Sequence, residues 1–526
     1  MTRICLFNRV CVRLSTLVSA SFLGVALSAC GGGGNSTGGN PGNLGGSSST
    51  TPPPVVAAPA RGSLIGGAAL VPVVVSGTQT VNTADPQTLT AMLEAVQTGF
   101  SKVTGAPVCS VTAYTVQYNT VGGQAEATNA SAAIMVPSGS DPSCSGARPV
   151  MLYAHGTTAD KTYNMARIGE ISEPRLIAAI FAAQGFIVVA PNYTGYDVST
   201  LGYHPYLNAE AQSADMVDAL RAARTAFATI GATPSTRLLV TGYSQGGYVA
   251  LATQRAMQTE YASEFTVAGA SGMSGPYALS LMADTVFGGS PTMGVTLFLP
   301  LLINSTQHSS TPTYTLSSDV YEAAYAPGIE TLLPGLLSTG DLVSEKKLPA
   351  TALFAADSQP QGAGASAYFA AGNLIKSSYR SAYLADAAAH PCSVDPASPL
   401  ACSPQNGLRK FTVNNDLRTY LPTVPLMLCG GQNDPTVPFY NTSNTSAYFA
   451  SRGLTSSALT VVDLETTQGA LDPYLAPKLG FAAAKAALRA DAIAQGEDAD
   501  TAVASSYHAG LVAPFCLIST RDFFLH

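Results

Sequence analysis

Residues 238–247 read L-L-V-T-G-Y-S-Q-G-G. The apolar run Leu238–Val240 suits a buried strand, and the small residues after Ser244 suit the start of a helix. Between them the spacing G-x-S-x-G predicts a sharp turn that carries Ser244 at its tip. Gly242 and Gly246 would leave room for neighbouring backbone, and the first helical turn would point amides at negative charge forming beside the hydroxyl. Alone, the pattern also describes an ordinary strand-to-helix turn, so its meaning rests on the chain around it.

Upstream, Pro149–Ala154 (P-V-M-L-Y-A) reads as a compact strand running into His155-Gly156-Thr157-Thr158. An amphipathic helix follows at Ile171–Gln184, ended by Gly185, and then an apolar strand at Phe186–Ala190. Ala209–Phe227 supplies a crossover helix, Arg237–Thr241 the strand before Ser244, Tyr248–Glu260 the helix behind it and Phe265–Ala270 another strand. This alternation from 149 to 270 predicts an α/β fold built on a mostly parallel, doubly wound sheet. Ahead of it, Thr88–Phe100 has helical spacing, and Val111–Val121 with Ala130–Val136 reads as a strand pair.

Beyond Gly275 the rhythm stops. Residues 276–420 read as an inserted, largely helical cap with apolar pieces at Val295–Ile303 and Ile329–Leu337. Val424–Leu428 resumes the sheet, followed by a helix at Thr442–Gly453, a strand at Ala458–Leu464, an alanine-rich helix at Gly480–Gln495 and a closing helix soon after His508. The sheet domain is thus expected in two parts, 61–275 and 421–526.

Of 526 residues only 11% are charged, and a net charge of −7 gives no support for a nucleic-acid partner. Residues 1–29 have a basic start and an apolar run from Leu14 to Leu27, then Leu27-Ser28-Ala29-Cys30. This resembles a bacterial lipoprotein signal, which implies cleavage before Cys30, lipid attachment to it and, by family analogy, export to an outer membrane or the cell surface; a plain secretory signal, with release as a secreted protein, is the alternative. Residues 30–60, rich in Gly, Ser and Pro, read as a flexible tether. Six cysteines then remain in an oxidising compartment, none with metal-ligand spacing. Their separations along the chain favour Cys109–Cys144, Cys392–Cys402 and Cys429–Cys516.

A serine hydroxyl needs a base, and the base needs an acid to orient it. Six histidines allow a search by elimination. His526 is terminal, His308 and His390 fall in the cap, His204 lies on a loop-to-helix segment suited to a structural or rim role, and His155 belongs to the turn after an early strand. His508, expected in a loop after the last strand, remains as the base. For the acid, Leu428-Cys429-Gly430-Gly431-Gln432-Asn433-Asp434 ends a strand in a glycine turn, which places Asp434 ahead of its rival Asp463. Backbone amides of Gln245 and of Thr157, with Thr158 as alternate, are the candidate donors to an oxyanion. Tyr243, His155 and Tyr193 are expected to touch substrate.

These stretches resemble the α/β-hydrolase superfamily, and within it the secretory-lipase and lipase A-like branch with related bacterial exported esterases. The resemblance is carried by Y-A-H-G-T-T at 153–158, P-N-Y-T-G-Y-D at 191–197, G-Y-H-P-Y-L at 202–207, G-Y-S-Q-G-G at 242–247, G-G-Q-N-D-P-T-V-P at 430–438 and Y-H-A-G at 507–510. It implies a carboxylic-ester hydrolase that uses no metal or organic cofactor, with Ser244, Asp434 and His508 as its triad in the family's chain order. Expected substrates are acyl esters, lipids and polyester oligomers included, with no protein partner implied. The separation of 74 positions between Asp434 and His508 leaves room for an insertion. A serine peptidase or acyltransferase of the same fold and a non-catalytic surface lipoprotein are the rival readings.

Overall fold

The computed structural model describes residues 59–526 apart from 97 and 98. The expected signal peptide, the lipidated Cys30 and nearly all of the tether lie outside the described residues. Nine strands form the main sheet: β1 (Ala69–Val71), β2 (Ser110–Val121), β3 (Ala127–Ser138), β4 (Arg148–Ala154), β5 (Ile187–Pro191), β6 (Pro234–Tyr243), β7 (Val267–Met273), β8 (Leu426–Gly430) and β9 (Leu459–Asp463). Their order across the sheet is β1-β2-β3-β5-β4-β6-β7-β8-β9. The first three run antiparallel, and from β5 to β9 every neighbouring pair is parallel.

The parallel strands carry apolar runs. Met151, Leu152, Leu239, Val240, Met427 and Leu428 are buried because helices cover both faces. Helices Ala209–Ala226 and Gln245–Thr259 pack together on one face, and Ser172–Ile180 packs with Ala513–Leu525 on the other. The run Ala499–Leu525 is long and apolar enough to cross a membrane by composition, yet Cys516, Leu517 and Ile518 are buried in this core. Its hydrophobicity is accounted for by packing against the sheet.

After β4 the chain winds one way to β5 and then returns to place β6 on the other side of β4. The gap between β4 and β6 is therefore a topological switch point, where loops diverge and leave a crevice beyond the strand ends. Ala154 pairs with Gly242 there, and Tyr243 with Met273, so the loops after β4, β6 and β7 leave the sheet at one level.

Between β7 and β8 a cap is inserted, its helices Leu279–Phe287, Val295–Gln307, Thr339–Ser344, Ser377–Ala389 and Gly407–Asn414 joined by long irregular segments. Arg409 anchors it internally, reaching Asp284 at 3.0 Å and Asp386 at 2.8 Å with its guanidinium nearly sealed from solvent. Cys109 is joined to Cys144, Cys392 to Cys402 and Cys429 to Cys516. The last links β8 to the closing helix.

Candidate active site

Ser244 sits on the turn between β6 and the helix Gln245–Thr259 with φ 59° and ψ −122°, a conformation costly for any residue with a Cβ. Crowding enforces the turn. A Cβ on Gly246 would lie 1.9 Å from the Ala154 carbonyl oxygen, and one on Gly242 would lie 2.2 Å from that of Gly246. The Ser244 amide donates to Met273 O at 2.8 Å, fastening the turn to β7. Its side chain is left facing the crevice.

His508 faces it, from a π-helical turn at Tyr507–Val512 rather than from the expected loop. The helical run from 499 to 525 does not break at the histidine but widens by one residue, a distortion often found at functional positions. His508 Nε2 is 2.8 Å from Ser244 Oγ, and Nδ1 is 2.6 Å from Asp434 Oδ2. With Nδ1–H donating to the carboxylate, Nε2 is left to accept from the serine hydroxyl. The hydroxyl of Tyr243 donates to the His508 carbonyl and holds the widened turn from below.

Asp434 is fully enclosed at its carboxylate. Oδ2 accepts from His508 and, at 2.7 Å, from the Ser274 hydroxyl, while Oδ1 accepts from the amides of Thr436 (2.9 Å) and Val437 (3.1 Å). Four donors occupy its lone pairs and fix its plane. The rival acid, Asp463, does different work: its Oδ1 accepts from the Gln432 amide at 3.2 Å and so braces the turn that presents Asp434.

Across from Ser244, the loop after β4 brings Gly156 so close that a Cβ there would stand 3.7 Å from the Ser244 Cβ. Glu173 holds this loop, accepting from the Gly156 amide at 3.0 Å and from the hydroxyls of Tyr153 (2.8 Å) and Tyr163 (3.0 Å). Thr157 and Gln245 line the same cavity as Ser244. Among the described residues neither of their amides is engaged by another group. The Thr157 hydroxyl pairs with Tyr206 at 2.9 Å. Thr158 does not line this cavity: its hydroxyl accepts from the Asp160 amide and its carbonyl from Tyr196.

His204, buried, sits behind Gln245. Its Nδ1 is 2.9 Å from Thr194 O and its Nε2 is 2.7 Å from Gln245 Nε2, so Nδ1 donates to the carbonyl and Nε2 accepts from the amide. Burial drives its pKa down to about 3, keeping the ring neutral and able to accept. The expected substrate contacts at His155, Tyr193 and Tyr243 are corrected by this geometry. His155 is fully buried against Tyr193, with ring centroids 4.1 Å apart, and the Tyr193 hydroxyl donates to the His155 carbonyl at 3.0 Å. None of the three lines the cavity; they support the loops that do.

The cavity beside Ser244, about 70 Å³, is walled by the cap helices through Leu279, Met282, Val286, Phe298 and Leu299. Its surface is almost wholly apolar. Of the two apolar cap pieces expected from sequence, Val295–Ile303 contributes to this wall. The other does not: Gly335 instead pairs with the loop after β4, its amide donating to Ala159 O and its carbonyl accepting from Lys161, each at 2.8 Å.

A nine-stranded, mostly parallel sheet, a serine on a strained strand-to-helix turn and an inserted cap together decide the architecture. It is an α/β-hydrolase fold. Among solved structures of this α/β-hydrolase architecture, the rice cell wall degrading esterase LipA from Xanthomonas oryzae is similar at 24% identity and a TM-score of 0.64, covering 89% of this chain and 99% of its own. A putative hydrolase from Legionella pneumophila is similar at 16% identity and a TM-score of 0.57, covering 76% and 91%. The family model described as Secretory lipase matches residues 171–305. No curated protein matches the chain.

Sequence reading missed Ser274 and Glu173. Ser274 has φ 45°, which a bare S-G-M-S-G-P string does not announce. Glu173 offered a faint signal as an acid in the first turn of the helix after a candidate oxyanion loop.

Proposed function

We propose that the protein is an exported serine carboxylic-ester hydrolase in which Ser244 is the nucleophile, His508 the general base and acid, and Asp434 the group that orients and stabilises the imidazole. The observation that carries this reading is the unbroken hydrogen-bond line from Ser244 Oγ through both nitrogens of His508 to the enclosed carboxylate of Asp434. Ser244 attacks the ester carbonyl as its proton passes to His508 Nε2. The alkoxide leaves with that proton, and water activated by the same nitrogen releases the acyl group from Ser244.

Negative charge on the tetrahedral intermediate falls to the amides of Gln245 and Thr157, two donors that border the same cavity as the hydroxyl. Each such donor is worth roughly 2.7–4 kcal/mol of transition-state stabilisation. Glu173 fixes the loop bearing Thr157, and neutral His204 holds the side chain of Gln245. The apolar cavity under the cap suits the hydrocarbon of an acyl chain and offers no charged group for a peptide terminus, which favours esters over aminoacyl amides. Lipid attachment at Cys30 would hold the enzyme at a membrane surface, with three disulfides fitting an oxidising location.

An ester series from acetyl to long-chain, run on wild type and Ser244→Ala, tests this. Hydrolysis by wild type alone, without turnover of the matching aminoacyl amides, is expected. Equal activity in Ser244→Ala would overturn the assignment.

A further inference from the structure

Between β9 and His508 the chain spends more than forty residues, including the helix Leu475–Ala494, on a segment that touches none of Ser244, Thr157 or Gln245. One carboxylate within it nonetheless gathers contacts from both the acid turn and the turn of the base. Leu464 extends the sheet by donating to Gly430 O at 3.0 Å, which delivers Glu465 beside the turn that carries the acid. Glu465 Oε2 accepts from Asn433 Nδ2 at 2.5 Å. Its Oε1 accepts from the Tyr507 hydroxyl and from Lys485 Nζ, the latter at 2.7 Å. The Tyr507 hydroxyl also receives the Asn433 amide at 3.3 Å.

Asn433 immediately precedes Asp434, and Tyr507 immediately precedes His508. One carboxylate thus joins the residue before the acid to the residue before the base. We propose that Glu465 is a positioning residue that sets the separation of Asp434 and His508 by clamping Asn433 and Tyr507, and that the inserted helix serves to bring Lys485 to this clamp.

The surroundings agree with a rigid joint. Phe481, from the same helix, packs edge-on against the Tyr507 ring at 5.7 Å, and Lys485 Nζ lies 5.5 Å from the centre of that ring. A Cβ on Gly431 would stand 2.7 Å from the Tyr507 hydroxyl, so the acid turn and the tyrosine are already in close contact. Burial would raise the pKa of Glu465, but hydrogen bonds from Lys485 and Tyr507 prevail and hold it below the ordinary value, which keeps the clamp charged near neutrality. Neither Glu465 nor Lys485 reaches the reacting atoms. Their effect passes through backbone placement, where a displacement of an ångström is enough to slow chemistry strongly.

The kinetic part of this proposal rests on the esterase reading; a spectroscopic part does not. In Tyr507→Phe, which removes one oxygen and keeps the ring packing, and in Glu465→Ala, kcat on a short p-nitrophenyl ester should fall about tenfold with KM unchanged. Glu465→Gln, still able to accept from Tyr507, should recover much of the loss. The double variant Glu465→Ala/Tyr507→Phe should be no slower than its slower parent, because both changes open the same joint. Independently of turnover, the low-field proton resonance of His508 Nδ1–H should shift or broaden in Tyr507→Phe. Wild-type kcat and an unmoved resonance in Tyr507→Phe, whatever its melting temperature, would overturn the proposal, as would additive losses in the double variant. An inactive wild type would instead count against the esterase reading, and the resonance would still decide the clamp.

Discussion

The two sides of the crevice reach the proposed reacting centre by different means. On the nucleophile side, position comes from steric compulsion within a few residues: Gly242 and Gly246 admit carbonyl oxygens where no Cβ fits, and Ser244 is pressed to φ 59°. On the acid–base side the crowding is with side chains rather than backbone, a Cβ on Gly431 standing 2.7 Å from the Tyr507 hydroxyl. There, Asp434 and His508, 74 residues apart, are aligned by side chains drawn from the turns just after β7, β8 and β9 and from the inserted helix. The difference teaches that a strained turn is specified locally and fails all at once, whereas a hydrogen-bonded frame is specified at long range and fails by degrees.

The comparison is broken most severely by removing the acid. Asp434→Asn should keep the fold, since Asn can retain most of the surrounding hydrogen bonds, yet lower kcat by about 10⁴ by presenting the wrong tautomer of His508. A steady-state assay with a thermal melt checks both halves, and a loss below tenfold would show that the carboxylate does not orient the base. Gly246→Ala comes next. It places a methyl 1.9 Å from the Ala154 oxygen, so the expected cost is about 3 kcal/mol of stability together with lost activity, read from urea unfolding. A soluble, stable and active Gly246→Ala would remove the claim that crowding shapes the turn.

The smallest effect sharpens the boundary between the two sides. His204 is neutral in the fold with its pKa lowered to about 3 by burial, against an ordinary value of about 6.5. The unfolded chain therefore binds a proton below about pH 6.5 that the native chain does not. Stability from this group is complete above that pH and is lost progressively as pH falls toward about 3. In His204→Gln, the drop in unfolding midpoint between pH 7.5 and pH 5 should be smaller than in wild type. Equal drops would mean that His204 is not held neutral behind Gln245.

The same contrast explains what could be read without a structure. Ser244 was legible because glycines at fixed offsets record the crowding directly, and the alternation from 149 to 270 was legible because strands buried on both faces must be apolar throughout. Asp434 and His508 could be reached through the glycine turn at 430–431 and the small number of histidines. The π-helical turn under His508, where a loop was expected, was not legible, since a π turn differs from an ordinary α-helical turn by one hydrogen-bond step and leaves no mark in the residue pattern. Ser274, Glu173 and Glu465 were hidden for a related reason: a serine or a glutamate has many uses, and only the tertiary partner decides which applies. His155 and Tyr193, conspicuous in their motifs, hold loops from behind because aromatic rings at 4.1 Å make a firm base for a turn.

The central claim is that one hydroxyl is made nucleophilic by one imidazole. Treatment with a fluorophosphonate followed by peptide mass spectrometry tests it most directly. The account predicts a single adduct on Ser244 in wild type and near-complete loss of that adduct in His508→Ala. Absence of labelling at Ser244 in wild type, or undiminished labelling in His508→Ala, would contradict it.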